Sequence, residues 1–524
     1  MMEGTATISL CAEERDGPTL SWPGKRLSVR VKVPILRTVE AYGDDADDAP
    51  NLLLHGDNAQ TLAWLIANGY RQQIRLIYID PPFDSDGNYT SLLRLRGDGA
   101  KGIGSRIQYR DRWQGGDYLQ FMAERLLLLK ELLHPDGTIW LHCDHRASTR
   151  LQLVMEEIFG AESYLNTIAW RSQVARGAKV HAHYFPRSTH SIHIFAASPQ
   201  GTPTWHPPRK EIVMTRAEAT ARYMEDERGF FRTSHPGTYS FEKLVDLHAQ
   251  GRIYAPHGGH VIVDEINRRV YASNGGNIGV KYYVERRGRD RFVVTRAVDN
   301  LWDDIPGLGT IPSEEVNYPT QKTEGLLQRI IETASDAGDL LLDAFVGSGT
   351  SVAVAQKLGR PWIGCDDNWG AIRTTARRVW GAKKRRSEEA KKGERERGVK
   401  ICQVDGAVIP TAEAEVRVRV EATADRMLQI RVEEYRSAAL AERLRAVGEA
   451  IPADWRAGVQ SVAIDPRYDG QVFRPILVDA PAGKTALVRG AYHLTGVETP
   501  TTIALLIVDI TGGEWLKTQA VNFL

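Results

Sequence analysis

Between Asn51 and about residue 382, the chain alternates short apolar runs with stretches of helical spacing. The runs are Leu52-Leu53-Leu54, Leu76-Ile77-Tyr78-Ile79, Thr138-Ile139-Trp140-Leu141-His142, Leu340-Leu341-Leu342 and Trp362-Ile363-Gly364-Cys365. The helical stretches pass through Leu62 and Leu65, extend from Tyr118 to Leu133, and follow Ser351 and Trp369. Strand alternating with helix predicts an α/β fold, a doubly wound, Rossmann-like parallel sheet. Residues 205–300 break the rhythm with many arginines, glycines and aromatics, and so read as an insert. Residues 401–524 carry period-two alternation, as in Val416-Arg417-Val418-Arg419-Val420, around one helix near Ser437 to Ala446, and read as a β-rich C-terminal accessory domain.

The expected organisation is therefore an N-terminal extension (1–50), a first catalytic part (51–204), the insert (205–300), a second catalytic part (301–382), a charged linker (383–400) and the accessory domain (401–524). The linker, headed by Lys383-Lys384-Arg385-Arg386, reads as solvated chain rather than as a dedicated contact surface. The acidic run from Asp44 to Asp48 reads as an exposed turn.

Length predicts several domains. With 42% hydrophobic and 25% charged residues, the chain is neither disordered nor fibrous. A net charge of +1 leaves nucleic-acid binding open, because a local basic surface matters more than the total. Cys11, Cys143, Cys365 and Cys402 lack CxxC spacing, which disfavours a disulfide framework or a cysteine zinc site and makes a reducing cytoplasm the expected setting. No signal segment opens the chain and no apolar run approaches the roughly 20 residues of a membrane span, so no membrane partner is expected.

Two strings carry the chemistry. Asp343 closes a strand and leads through Phe345-Val346-Gly347-Ser348-Gly349-Thr350 into a helix, a turn whose glycines let backbone approach a ligand. Asp366 ends the next strand about twenty residues on, where a carboxylate can accept hydrogen bonds from ribose hydroxyls. GxGxxG and GKT-type phosphate loops are both absent. The pattern points away from nicotinamide cofactors and ATP, and toward S-adenosylmethionine.

The other string is Asp80-Pro81-Pro82-Phe83 after the strand ending at Ile79. The prolines fix φ and remove two amide donors, leaving carbonyl oxygens and the Asp80 carboxylate as acceptors for an exocyclic amine with two hydrogens. Phe83 offers a face for stacking.

With these motifs in this order, the chain resembles the β class of DNA N6-adenine and N4-cytosine methyltransferases, including type III modification subunits. In that class the DPPF-type motif comes first, the target-recognition region follows and the FxGxG motif is last. Leu54-His55-Gly56-Asp57-Asn58, Gly137 through Asp144 and Tyr318-Pro319-Thr320-Gln321-Lys322 match accompanying motifs, and the resemblance covers residues 51–382. It implies that Phe345, Gly347, Gly349, Thr320 and Lys322 hold the methionine part of the donor, that Asp366 holds its ribose and that Asp57 lies near its adenine. Asp343 and Thr350 complete the expected donor set. Thr323 stands where the family usually has Pro, which puts the start of the following helix in question. Asp before Pro-Pro favours adenine, whereas Ser there tends to accompany N4-cytosine.

The resemblance further implies double-stranded DNA as substrate, methylation of a flipped-out base by direct in-line displacement, and a restriction-modification or defence setting. It leaves room for a homodimer and for a restriction partner. Residues 205–300 become the target-recognition region, with Arg209, Arg216, Arg222, Arg228, Arg232, Arg268 and Arg269 as candidate DNA contacts. Tyr89, Tyr109 and Trp113 lie in the polar stretch expected to close over the base. Three readings compete: an N4-cytosine methyltransferase, an RNA methyltransferase, and a non-catalytic specificity subunit of a defence complex. His181, His183, His190 and His193 invite a metal site, but their spacing and a strand at Ser191–Ile194 favour ordinary histidines, so no metal is expected.

Overall fold

The computed structural model describes residues 6–13, 17–43, 49–97, 101–174, 181, 183–389, 397–422, 427–481, 483, 485–498 and 500–522, with only the helical backbone of 381–389. The acidic run at 44–48 and residues 390–396 of the expected linker lie outside the described residues. Two compact units result, one comprising Met1–His206 with Asn300–Leu524 and the other Pro207–Asp299.

The larger unit contains a ten-stranded sheet. In chain order its strands are β1 (Leu36–Tyr42), β2 (Asn51–His55), β3 (Ile74–Ile79), β4 (Leu133–Cys143), β5 (Tyr164–Arg171), β6 (Thr189–Ala196), β7 (Leu301–Trp302), β8 (Leu341–Asp343), β9 (Trp362–Asp366) and β10 (Val399–Val404). The helices that matter to the site are α1 (Asn58–Leu65), α2 (Asp117–Leu132), α3 (Ser148–Phe159), α4 (Glu324–Ala334), α5 (Thr350–Lys357) and α6 (Trp369–Glu389). Spatial order is β7-β5-β6-β4-β3-β8-β9-β2-β10-β1. From β4 to β10 neighbouring strands run parallel. Strands β6 and β1 pair antiparallel with their neighbours.

Helices cover the parallel strands, which explains why β2, β8 and most of β3 and β9 are apolar on both faces. In α4, Leu326, Leu327, Ile330 and Ile331 are buried at helical spacing and form the face that packs on the sheet. The chain passes from β3 through α2 to β4 in one direction, and from β8 through α5 to β9 in the other. The carboxyl ends of β3 and β8 therefore flank a topological switch point, the place where open α/β sheets bind ligands.

Three expectations change. Leu36–Tyr42 and Val399–Val404 belong to the central sheet, although the first falls in the expected N-terminal extension and the second straddles the expected start of the accessory domain at 401. Val399–Val404 is a short strand inside the sheet and Leu36–Tyr42 an edge strand that fully buries only Glu40, so neither shows its partners in its own pattern. Strands between Ala414 and Val521 form two antiparallel sheets over a shared core that includes Ile430, Val462, Tyr492 and Ile507, but they lie in the same compact unit as the central sheet. The polar stretch 84–116 is chiefly a hairpin of strands Gly87–Arg94 and Gly102–Asp111.

The second unit consists of small antiparallel sheets, with Arg209–Met214 against Phe292–Ala297 and Gly229–Ser234 against Gly279–Tyr283. Several of its candidate DNA-binding arginines already have partners: Arg216 with Glu225, Arg228 with the Gln250 carbonyl, and Arg268 with Glu242.

Candidate active site

A cavity of about 470 Å³ opens at the switch point. Its wall includes Asp57, Asp80, Pro82, Thr320, Lys322, Asp343, Phe345, Gly347, Thr350 and Asp366 among the residues singled out from sequence. Pro81, Phe83 and Gly349 do not line it.

At one end stands Asp80, carried off the end of β3. Lys322 donates to its Oδ2, and the same ammonium donates to the Thr320 carbonyl at 3.0 Å. Oδ1 of Asp80 is buried and has no hydrogen-bond partner. Burial pushes the Asp80 carboxyl above its ordinary pKa, against the pull of Lys322. Lys322, expected at the donor's methionine, thus sits on the acceptor motif, with Nζ 5.3 Å from the Phe83 ring centre. Phe83 is buried against His142 and His190, at ring distances of 6.1 and 5.7 Å. Both imidazoles are held neutral, chiefly by burial, with His190 down to about 3. Phe83, expected to stack on a base, is buried beside these rings and does not line the cavity. The Pro82 carbonyl, expected to be a free acceptor, receives the Tyr118 hydroxyl at 2.7 Å.

The loop beyond Phe83 is held by Asp111, which sequence reading did not single out. Its fully buried carboxylate accepts from the amides of Phe83 (3.0 Å), Asp84 (2.9 Å) and Ser85 (2.9 Å), from Ser85 Oγ (2.7 Å) and from Trp113 Nε1 (3.0 Å). Its only signal in the sequence is an acid ending an alternating stretch two residues before Trp113. Tyr109, on the same strand, lines the cavity, stacks on Tyr89 at 4.7 Å and bonds Thr320 Oγ1 at 3.1 Å.

At the other end the carboxylates serve the protein's own backbone. Asp343 accepts the Phe345 amide at 2.9 Å and the Ser351 hydroxyl. Asp366 accepts the Gly347 and Asn368 amides, each at 2.9 Å. Burial first, with Asp367 adding to the shift at Asp366, pushes both carboxyls up to about 7. Gly347 has φ +49°, and a Cβ there would meet the Tyr318 ring at 3.2 Å. Gly349 has φ +73°, and its Cβ would lie 2.7 to 2.9 Å from Thr375, so this glycine is required by the packing of α5 on α6. Thr350 Oγ1 donates to the Lys322 carbonyl at 3.2 Å and accepts from Arg378 at 2.8 Å. Asp57 caps α1 and pairs with Arg125 at 2.8 Å, and Arg125 lies 3.9 Å from the centre of the Phe121 ring. The question raised by Thr323 has a local answer: it is the N-cap residue of α4, and the Glu324 amide is satisfied by Glu314 at 2.8 Å.

The proposed histidine group disperses. His190 bonds His142 at 2.9 Å, and His193 bonds Thr167 at 2.8 Å. Among the described residues, no three His, Cys, Asp or Glu side chains are grouped to hold a metal ion, and no helix is long and apolar enough to cross a membrane.

A family model described as DNA methylase matches residues 74–377. The chain belongs to the N6/N4 DNA methylase family. The methylase is 25% identical over 383 residues to the type II methyltransferase M.EcaI of Enterobacter cloacae, covering 69% of this chain and 77% of that one. It is 25% identical over 389 residues to the probable type III restriction-modification enzyme HindVI Mod subunit of Haemophilus influenzae, covering 62% and 49%. A shorter match, 43% over 93 residues, links it to the DNA adenine methyltransferase YhdJ of Escherichia coli, covering 18% and 31%. The methylase spans about half the length of two of the type III Mod subunits it matches, 49% and 50%. It is a DNA methyltransferase by family, and its cavity sits where the two halves of the sheet diverge.

Proposed function

We propose that this methylase transfers a methyl group from S-adenosylmethionine to the N6 of a flipped-out adenine in double-stranded DNA, as the modification arm of a restriction or defence system. The observation that carries this reading is Asp80 Oδ1, a buried acceptor with no partner on the wall of the cavity. A buried, unpaired carboxylate oxygen is costly, and an amine hydrogen would relieve it.

The donor end fits the cofactor. Asp80, Asp343, Asp366 and Asp367 all line a cavity of a size typical for small ligands, and a sulfonium cation beside them would favour their ionised forms. Gly347, with no side chain, leaves the loop open beside Tyr318. S-adenosylmethionine, when bound, supplies an electrophilic methyl group.

The protein's own groups do the rest. Asp80 Oδ1 accepts one amine hydrogen and orients the nitrogen lone pair toward the donor end. Lys322 holds Oδ2 and so leaves a single oxygen for the substrate. Its raised pKa lets the Asp80 carboxyl take the proton shed as the nitrogen–carbon bond forms. Extruding the base from the duplex costs a few kcal/mol of stacking and pairing.

Asp before Pro-Pro and the likeness to an adenine methyltransferase favour adenine. Likeness to type III Mod subunits supports the restriction setting. The test supplies labelled S-adenosylmethionine and unmethylated genomic DNA to the purified protein and to Asp80→Ala, followed by nucleoside mass spectrometry. N6-methyladenine formed only by the intact protein is the expected result; N4-methylcytosine would move the substrate to cytosine, and no methylated base despite donor binding would overturn the reading.

A further inference from the structure

The hairpin Gly87–Asp111 touches the site at one end and the C-terminal β-domain at the other. Two-stranded hairpins are marginal in water, so an anchor decides where such an element lies. Here one anchor is the C-terminal domain. Arg96 donates to the carbonyls of Ala486 (2.9 Å), Pro481 (2.6 Å) and Gly483 (2.7 Å), and its own amide donates to Ala457 at 2.9 Å. Lys101 pairs with Glu449 at 3.0 Å, Arg106 donates to the Thr511 carbonyl at 2.9 Å, and Arg443 reaches the Ser105 carbonyl at 3.2 Å. Beneath these polar contacts Leu93 and Ile103 of the hairpin share a small core with Leu440 and Leu444 of the domain.

At the opposite end the second strand finishes in Asp111, whose five accepted hydrogen bonds hold Phe83 to Ser85 and Trp113. Gln108 and Tyr109, just before it, form cavity wall. The segment that follows Asp80 therefore takes its position from the hairpin, and the hairpin is held both by the C-terminal domain and by the catalytic part, where Asn317 Nδ2 donates to the Leu92 carbonyl at 2.7 Å and Asn368 Nδ2 to the Gln108 carbonyl.

We propose that the C-terminal β-domain is a working part of the methyltransferase: through the hairpin it places Asp111, and Asp111 is the positioning residue that holds the acceptor loop. This rests on the reading of Asp80–Phe83 as the acceptor motif, and hydrogen exchange tests the positioning separately from that reading because it needs no substrate. Asp111 touches no reacting atom in this arrangement. It acts through the loop it holds.

The experiment compares full-length wild type, Asp111→Asn, Arg96→Met and Arg96→Lys by hydrogen exchange with mass spectrometry, by donor affinity and by steady-state methyl transfer to genomic DNA. In Asp111→Asn an amide NH₂ would face amide donors, so exchange at residues 83–85 should rise about tenfold or more, and kcat should fall about 10- to 100-fold from misplacement, with donor affinity within about twofold. Arg96→Met keeps the stem but loses three hydrogen bonds. It should produce the same pattern more weakly, about three- to tenfold in both readouts, and Arg96→Lys should restore part of it. Exchange at residues 486–490 reports whether the clamp itself was loosened. Faster exchange there, with residues 83–85 and kcat unchanged, would overturn the proposal, as would an Arg96→Met protein that differs from wild type nowhere. If the exchange pattern appears but neither adenine nor cytosine is methylated, positioning stands and the proposed reaction fails.

Discussion

The two ends of the cavity treat their carboxylates in opposite ways. At the donor end, Asp343 and Asp366 are satisfied by the backbone amides of the very loops that form the pocket, those of Phe345, Gly347 and Asn368. At the acceptor end, one oxygen of Asp80 is tied to Lys322 and the other has no partner. The contrast separates two kinds of work. Donor-end acids hold their loops in shape, whereas Asp80 keeps a buried acceptor unsatisfied at a cost in stability, the oxygen that meets the amine in the proposed reaction.

That contrast can be broken most directly at Asp80. Asp80→Ala should lower methyl transfer about a hundred- to a thousandfold, by analogy with losing one positioned hydrogen-bonding group, while donor affinity measured by calorimetry stays within about threefold. Equal loss of affinity would mean that the two ends are one site. The reverse outcome is expected at Gly347, where valine would be strained at φ +49° and would press on Tyr318. Gly347→Val should weaken donor binding about tenfold or more, equivalent to at least about 1.4 kcal/mol.

Lys322→Met sharpens the acceptor end through pH. Burial already raises the Asp80 pKa and Lys322 opposes it, so removing the ammonium raises that pKa further. Because the proposed reaction needs an ionised Asp80 to accept the amine, the acid limb of the pH–rate profile should move to higher pH, with a larger loss at pH 6 than at pH 8.5. An unshifted limb would detach Lys322 from the acceptor. The smallest functional effect belongs to Gly349→Ala. Its Cβ would press on Thr375 at a left-handed φ, so thermal melts should show about 1–3 kcal/mol of lost stability, while donor affinity per folded molecule is retained.

Much of the site was legible in the chain because its residues sit at the ends of strands. Asp80, Asp343 and Asp366 each follow or close a strand-length apolar run, and parallel strands bring such ends to one edge. Lys322 illustrates the limit. Its place in the TQK segment suggested the donor's methionine, yet its ammonium pairs with Asp80, a residue 242 positions away. Gly349 likewise looked like part of a ligand loop and proves to be a packing contact with α6.

The chain by itself determined the kind of fold and the identity of the main chemical groups, since apolar periodicity, strand-end carboxylates and glycine turns are properties of neighbours in sequence. Tertiary structure alone decided which oxygen of Asp80 stays unpaired, that Phe83 is buried beside His142 and His190, and that Asp111 gathers four donors from the acceptor loop and a fifth from Trp113. It also decided that residues near 40 and 400 complete the catalytic sheet. The physical reason is that a side chain's hydrogen-bond partners depend on which distant segments the core brings within about 3 Å, and local pattern carries no record of that choice.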